Sequence, residues 1–276
     1  MTTLGKIGFI GGGNMGSALV GGLLSHHFPV SDIIVSDNSP QVCELLQDKW
    51  GITTTTQSSD IVSTVDILVL AVKPQHMKTM LQEITTSFDV TRTLLISIAA
   101  GITTSQIKKW LGKDCMLVRA MPNTPALLGM GMTGLFAPKN LDNSHKQQAA
   151  NLLSCVGETV WLENEEHMDI VTALSGSGPA YFFYLMEALI NSATTLGLPK
   201  EIASLLTLQT ALGSAKMAQK AYPNEDVAQL RSKVTSPGGT TQAGINVLKN
   251  GKLEELIENT LSAATQRGKE LSQQYD

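Results

Sequence analysis

The pattern of hydrophobic and polar positions changes once along the chain. Over the first ~160 residues, short β-rich runs alternate with helical segments, which predicts a parallel sheet wrapped by helices. Several runs are apolar at every position, as is typical of strands buried on both faces. The predicted strands are 6–10, 32–37, 66–72, 93–98, 116–121, 132–137 and 158–162.

Beyond Trp161 the β-rich runs cease and long helical windows follow. The predicted helices are 165–175, 179–196, 199–221, 224–233, 240–249 and 253–272. We therefore predict two domains, an α/β domain over residues 1–163 and an all-α domain over residues 164–276.

Two helical windows of the second domain carry different apolar patterns. The window 253–272 keeps its apolar and small residues on one face. The window 179–196 is apolar on all sides, with Glu187 as its only charge. A domain of ~110 residues cannot cover such a helix by itself, which predicts a subunit interface. A central helix in a compact monomeric bundle is the alternative.

Composition and charge narrow the class of protein. The chain has 276 residues, 42% of them hydrophobic and 16% charged, with a formal net charge of −4. This is a globular composition without an excess of basic residues, so nucleic acid is not an expected partner. No apolar stretch reaches bilayer-spanning length, and residues 1–12 lack the features of a signal peptide. We expect a cytoplasmic protein without a membrane partner.

The cysteines and histidines do not indicate a metal site. Cys43, Cys115 and Cys155 are odd in number and far apart, which suits neither a disulfide framework nor zinc. We expect reduced thiols in the core. The five histidines show no ligand spacing with cysteines or carboxylates, so no metal is expected.

A glycine-rich turn follows the first predicted strand. The sequence "KIGFIGGGNMGSALVGG" supplies a strand, then Gly11-x-Gly13-x-x-Gly16, then a helix. In a dinucleotide site, these glycines allow the tight turn, the approach of the pyrophosphate and close packing of helix on strand. The helix N-terminus then presents free amides to the phosphates. The alternative is a close-packed turn without a ligand.

The residues after the second predicted strand bear on the choice between NAD and NADP. Asp37 can accept from a ribose 2′-hydroxyl and would repel a 2′-phosphate. Asn38 and Ser39 can instead donate to a phosphate, although no Arg or Lys occurs before Lys49. The sequence leaves this preference open.

Two later strand ends are rich in small residues. In "LAVKPQ" and "SIAAGI", Ala71, Ala99 and Ala100 leave room for a nicotinamide and its ribose. Pro74 ends the strand and begins a helix. Lys73 is either a surface lysine or a cofactor contact.

The stretch "VTSPGGTTQAG" interrupts the helical domain. Pro237 and Gly238-Gly239 predict a sharp turn into a helix that begins near Thr240. The first amides of such a helix form a carboxylate site. The alternative is a simple cap made by Ser236 or Thr240.

Several blocks of sequence together indicate a family. "LAVKPQ", "RAMPNTPALLGMGMT", "TALSGSGPAYFFYLMEAL" and "VTSPGGTTQAGINVLKNG" follow the N-terminal glycines in the same order as in pyrroline-5-carboxylate reductase. The chain closely resembles this family over essentially its full length. The resemblance implies an N-terminal Rossmann domain followed by an all-α dimerisation domain of the 6-phosphogluconate-dehydrogenase-like type. It also implies NAD(P)H-dependent reduction of L-1-pyrroline-5-carboxylate to L-proline in a homodimer or larger homo-oligomer.

The resemblance also implies site residues. The implied cofactor contacts are Gly11, Gly13, Asn14, Met15, Gly16, Asp37, Asn38, Ser39, Ser58, Ala71, Val72, Lys73, Pro74, Ala99, Ala100 and Gly101. Ser58 stands where some members have an Asn. The family generally favours NADPH, which makes NADPH the expected cofactor, with NADH possible because no basic residue follows the second strand.

The implied substrate contacts are Glu165, Ser236, Gly239, Thr240 and Thr241. We expect the amides at Gly239 to Thr241 to bind the substrate carboxylate. The Thr241 hydroxyl, the predicted catalytic group, then bonds to the ring nitrogen.

Two other functions fit the same domain plan. A β-hydroxyacid dehydrogenase needs a basic residue, usually a Lys on the first long helix of its second domain. Residues 179–197 contain no Lys, and the next is Lys200. A nucleotide-sensing protein without catalysis is the other alternative, although the intact "SPGGTT" turn counts against it.

Overall fold

The computed structural model describes residues 4–274, and within them eight strands form a single sheet. Their order across the sheet is β3-β2-β1-β4-β5-β6-β7-β8. Every neighbouring pair is parallel except β6 and β7, which confirms the mostly parallel sheet. The strands are β1 Ile7–Ile10, β2 Ile33–Ser36, β3 Thr53–Thr55, β4 Ile67–Leu70, β5 Leu94–Ser97, β6 Leu117–Met121, β7 Gly131–Phe136 and β8 Gly157–Trp161.

All seven predicted strands are present, and apolar side chains of the interior strands fill the core, whereas Val160 and Trp161 of β8 are exposed. Ile7, Ile67 and Leu94 lie side by side in register at the centre of the sheet, and all three are buried. The sequence missed β3, which is a short run of threonines paired with β2 alone. An edge strand can form from backbone hydrogen bonds without an apolar run, so its sequence signal is weak.

Helices cover both faces of the sheet, and further helices follow the last strand along the chain. Helix α1 and helix α6 pack on one apolar layer, and helices α4 and α5 pack on the other. The helices are α1 Asn14–Ser25, α2 Pro40–Trp50, α3 Ser59–Val62, α4 Pro74–Ile84, α5 Thr104–Leu111, α6 Asn143–Leu153, α7 His167–Val171, α8 Gly178–Thr195, α9 Lys200–Ala221, α10 Val227–Lys233, α11 Thr240–Asn250 and α12 Leu253–Gln274.

The chain forms two compact units whose limits differ from the predicted domains. One unit contains residues 4–177 together with residues 263–274, and the other is Gly178–Ser262. Residues 164–177, which the sequence assigns to the helical domain, pack with the sheet in this structure, and the predicted domain boundary stays a prediction. Glu165 and Asp169 contact the buried Arg119 of β6, and the Val171 side chain packs against Gly134 of β7.

The second unit, taken alone, leaves most of its apolar surface uncovered. Phe182 and Phe183 of α8 are each 65% exposed, and Tyr184 is 74% exposed. Only Gly178 and Ala203 are buried among the described residues of this unit. Soluble proteins rarely leave so large an apolar patch exposed to water. The helix that the sequence describes as apolar on all sides is therefore largely exposed in the single chain.

The three cysteines are free and buried. Burial raises the pKa of Cys115 to about 11 and that of Cys155 to about 12, so these two thiols are protonated at neutral pH. In the part of the chain that the structure describes, no cluster of His, Cys, Asp or Glu could hold a metal ion. The described helices are also all too short or too polar to cross a bilayer.

Close packing at the start of β8 generates a stability prediction. Gly157 has φ +147°, and a Cβ there would overlap the backbone oxygen of Gly131 in β7. We expect Gly157→Ala to lower the free energy of unfolding by roughly 2–4 kcal/mol, measured by urea denaturation. Gly112→Ala is the control, because Gly112 also has positive φ but its Cβ would meet no atom within 4 Å. Equal losses in the two variants would contradict the packing explanation.

Candidate active site

The glycine-rich turn joins β1 to α1 at the centre of the sheet. Gly11 has φ +107°, and a Cβ there would lie 2.5 Å from the carbonyl oxygen of Ala71. A Cβ on Gly16 would overlap the carbonyl oxygen of Gly11. Both glycines are therefore required by the backbone itself, which must pass close to β4 and fold back against α1.

Gly13 differs from these two glycines because the space beside it is open. A Cβ on Gly13 would meet no atom within 4 Å. Gly13 is also the N-cap residue of α1, which has no side-chain cap and no acidic residue in its first turn. A helix start of this kind fits a phosphate group, since its amides and its positive dipole end are unopposed.

The parallel sheet brings the other predicted cofactor residues to the same edge. The chain leaves β1 toward β2 on one side and reaches β4 on the other, which creates a switch point between β1 and β4. The segments 37–39, 71–74 and 99–101 follow the carboxyl ends of β2, β4 and β5. Gly11 N donates to the Ser36 carbonyl at 2.7 Å and Ala71 N donates to the Ile10 carbonyl at 2.8 Å. These hydrogen bonds hold the ends of β1, β2 and β4 together, so the segments that follow these strands border one crevice.

The Asp37 carboxylate lies beside the glycine turn. Its Oδ2 accepts from Gly12 N at 2.8 Å, and its Oδ1 accepts from Ser39 N at 2.9 Å. Ser58 reaches the same corner, where its Oγ lies 3.1 Å from Oγ of Ser36. Asp37 therefore holds the turn after β2 against the turn after β1, in addition to its predicted role toward a ribose.

Lys73 is exposed at the N-cap of α4, which begins at Pro74 as predicted. No side-chain cap is present at this helix start. Its position is compatible with both the surface and the cofactor interpretations.

An ion-pair cluster forms around the buried Arg119. Arg119 Nη1 donates to Glu165 Oε1 at 3.0 Å, and Nη2 lies 3.7 Å from Asp169 Oδ1. Glu165 also accepts from Thr104 at the start of α5, at 2.7 Å from the backbone amide and 2.6 Å from the hydroxyl. Glu165 was predicted as a substrate contact, and the structure places its carboxylate in this cluster within the first unit.

The cluster also affects a titrating group. Burial raises the pKa of Asp169, and the charge of Glu165 raises it further, while Arg119 and Lys269 oppose the shift. Sequence reasoning missed Arg119, although an arginine inside the apolar run "MLVRAM" was a signal, since a charge in a buried strand requires a partner.

Asn123, which follows β6, binds both to β7 and to the segment before α8. Its Nδ2 donates to the carbonyl and the hydroxyl of Ser175, both at 3.2 Å, and its Oδ1 accepts from Met132 N at 2.9 Å. Ser175 belongs to a single π-helical turn, Thr172–Gly176. Such turns occur frequently at functional sites. Two blocks that the sequence quoted separately, "RAMPNTP" and "TALSGSG", are thus in contact.

The predicted substrate residues of the second unit surround the start of α11. The helix begins at Thr240 as predicted, Gly239 is its N-cap and Gly238 has φ +73°. The alternative of a simple cap by Ser236 or Thr240 does not hold, because α11 has no side-chain cap. Gly238 N instead donates to Gln242 Oε1 at 2.6 Å, and Gly239 N donates to the Ser236 carbonyl at 3.0 Å.

The side chains around this turn are accessible. Ser236, Thr240 and Thr241 are exposed, and Gly239 is half-buried. The turn therefore presents hydroxyls together with the uncapped end of a helix, which is an arrangement that suits a carboxylate.

Together, the doubly wound sheet and the glycine cradle define a nicotinamide-dinucleotide oxidoreductase. Residues 165–271 match the family model for pyrroline-5-carboxylate reductase dimerisation, and residues 6–101 match that for NADP oxidoreductase, coenzyme F420-dependent. The chain belongs to the pyrroline-5-carboxylate reductase family, since full-length relatives share well over 30% of its residues.

The relatives match from end to end. A pyrroline-5-carboxylate reductase from Pseudomonas aeruginosa is 44% identical, with 98% of this chain and 97% of the relative covered. One from Vibrio alginolyticus is 39% identical, with 98% of each covered. The solved structure of a Coxiella burnetii pyrroline-5-carboxylate reductase is 44% identical with a TM-score of 0.92, covering 98% of this chain and 99% of that one. The Plasmodium falciparum enzyme, solved with NADP bound, is 30% identical with a TM-score of 0.85, covering 97% and 98%.

The different surroundings of two glycines generate a binding prediction. We expect Gly13→Ala to weaken dinucleotide binding by roughly tenfold, about 1.4 kcal/mol, because its Cβ would fill the space left for the phosphates. The unfolding free energy should change little, since that space holds no protein atom. Gly16→Ala should lower both binding and stability. Fluorescence titration with NADH and NADPH, together with urea denaturation, measures both quantities. Unchanged dinucleotide affinity in Gly13→Ala would contradict the assignment.

Proposed function

We propose that this chain reduces the C=N bond of L-1-pyrroline-5-carboxylate to give L-proline, the last step of proline biosynthesis, and is thus an oxidoreductase acting on a CH–NH bond. The observation that carries the proposal is the uncapped start of α11 behind the "SPGG" turn, in a chain that also has a dinucleotide cradle. Full-length similarity to pyrroline-5-carboxylate reductases supports it.

The chemistry needs alignment more than it needs a strong acid. A protonated pyrrolinium is already electrophilic, so the protein has to orient the ring and hold its carboxylate. The reduced nicotinamide supplies the hydride when bound. The carbon of the C=N bond gains this hydride, and the π-electron pair becomes the lone pair of the ring nitrogen.

The residues at the start of α11 bind the substrate. The amides of Thr240 and Thr241 and the positive end of the helix dipole bind the carboxylate, since the Gly239 amide already donates to the Ser236 carbonyl. The Thr241 hydroxyl accepts from the N–H of the pyrrolinium, which fixes the ring about its carboxylate. Ser236 and Thr240 are exposed beside it and complete the polar surface.

The β-hydroxyacid dehydrogenase alternative remains poorly supported. Helix α8 contains no lysine, and the next along the chain is Lys200 at the start of α9. An alcohol substrate would therefore lack the expected basic residue on this helix.

We further propose that the chain forms a homodimer through its second unit. The larger assemblies implied by the resemblance and the cytoplasmic location expected from the composition stay predictions. The match to a dimerisation family model over residues 165–271 supports the dimer. The exposed aromatic residues Phe182, Phe183 and Tyr184 of α8 supply the apolar surface that a partner copy would cover.

The family resemblance predicts use of NADPH, with NADH possible. The surroundings of Asp37, in contrast, favour NADH. The carboxylate would repel a 2′-phosphate, and its charge is not paired with any basic residue of the loop, since residues 33–48 contain no Lys or Arg. The Ser39 hydroxyl is already engaged, since it donates to Gln41 Oε1 at 2.9 Å. We propose that NADH binds at least as tightly as NADPH.

Thr241 provides the direct test of the reaction. With pyrroline-5-carboxylate and NAD(P)H, the wild-type protein should form proline, and Thr241→Ala should lower kcat/KM by roughly tenfold or more, on the scale of a lost hydrogen bond to a charged group. Thr241→Ser is the matched control, because it keeps the hydroxyl and should retain most of the activity. Equal kcat/KM in wild type and folded Thr241→Ala would remove Thr241 from the mechanism.

Asn38 tests the cofactor proposal. Asn38 is exposed beside Asp37, so Asn38→Arg introduces a guanidinium that can bind a 2′-phosphate. We expect the ratio of the Kd for NADH to that for NADPH to rise by about tenfold. Asn38→Gln, which adds length but no charge, should leave the ratio unchanged. A wild-type protein that binds NADPH far more tightly than NADH would refute the proposed preference.

A further inference from the structure

Arg119 is the buried charge that the proposed mechanism does not use. It lies on β6 and is 2% exposed. Its Nε and Nη2 atoms find no hydrogen-bond acceptor within the described residues, although Asp169 is nearby. Burial of a guanidinium with incomplete hydrogen bonding is costly. A charge kept at such a cost suggests that its contact with Glu165 does more than stabilise the sheet.

Glu165 connects Arg119 to the start of α5. Helix α5 already has its own capping box, formed by Thr103 and Gln106. Glu165 adds a bond to the next amide, that of Thr104, from 61 residues away in sequence. Its second oxygen accepts from the Thr104 hydroxyl at 2.6 Å. This clasp fixes where α5 begins relative to the sheet, since Arg119 holds the same carboxylate from β6.

The loop between β5 and α5 contains the small residues predicted to face the nicotinamide, Ala99 to Gly101. The backbone anchors its start, where Ile98 N donates to the Leu70 carbonyl at 3.1 Å. Its far end is held by the clasp at Thr104 and by Gln106, whose Nε2 donates to the Ser272 carbonyl at 2.7 Å. The placement of the loop thus depends on contacts at its far end.

We propose that Arg119 is a positioning residue for the nicotinamide end of the cofactor, and this inference rests on the proposed function. Arg119 holds Glu165, Glu165 holds Thr104, and Thr104 fixes the end of the loop that carries Ala99 to Gly101. The adenine end of the crevice is built separately, from the turns after β1 and β2. Loss of Arg119 therefore affects one end of the dinucleotide site and spares the other.

The test compares a probe of one end with the complete cofactor. ADP-ribose carries the adenosine and pyrophosphate but no nicotinamide. In Arg119→Met, we expect its Kd to stay within about twofold of wild type, while the Kd for NADH or NADPH rises by roughly three- to tenfold. We expect kcat to fall by at least ~tenfold, because small misplacements of reacting groups cost large factors in rate.

Controls separate positioning from general stability. Arg92→Met removes an exposed arginine whose Nη2 lies 2.9 Å from Asp66 Oδ1. Asp66 lies just before β4 and Arg92 just before β5, at the strand ends opposite to the crevice. We expect Arg92→Met to leave ADP-ribose binding, dinucleotide binding and kcat unchanged. Arg119→Lys should recover part of the lost kcat, because an ammonium group can still reach one oxygen of Glu165.

Two results for Arg119→Met would contradict the positioning role. Wild-type kcat and dinucleotide affinity in Arg119→Met, or an equal loss of ADP-ribose binding, would overturn the proposal. If Arg119→Met does not fold, Glu165→Gln carries the same comparison with a side chain of the same size. A wild-type protein that forms no proline refutes the proposed function, whereas the comparison of ADP-ribose with NADH still tests the role of Arg119.

Discussion

The close approach of two backbones, at Gly11 and Ala71, is the constraint on which the candidate site depends. A Cβ at Gly11 would lie 2.5 Å from the Ala71 carbonyl oxygen, so only glycine lets β1 turn here beside the end of β4. The same turn carries Gly13 and the start of α1. Because β1 also pairs in parallel with β2, this approach brings the ends of three strands to one crevice.

The two proposed ligand sites use the same physical device. Both α1 and α11 have glycine at the N-cap and lack a side-chain cap, so each start is left to bind an anion. Helix α5 shows the opposite arrangement, since a capping box and Glu165 occupy its start. The chain thus leaves open the helix starts assigned to phosphate and carboxylate. The start of α5, which holds the loop between β5 and α5 in place, is instead occupied by protein groups.

Much of the fold follows from sequence because the decisive signals are local. Apolar runs predict the interior strands, and Pro74 and Thr103 mark helix starts within their own segments. Other features depend on distant contacts. The strand β3 pairs with β2 alone, and residues 164–177 pack in the first unit, where Glu165 and Asp169 contact Arg119 and Val171 contacts Gly134. The quoted motifs indicate the cradle and the α11 turn, but they gave no sign that Glu165 pairs with the buried Arg119.

A crystal structure of the protein with oxidised dinucleotide and L-proline tests the central claim most directly. We predict the pyrophosphate at the start of α1 and the proline carboxylate on the amides of Thr240 and Thr241, with the proline within hydrogen-bond distance of the Thr241 hydroxyl. Proline bound away from the start of α11, with the dinucleotide in its cradle, would contradict it.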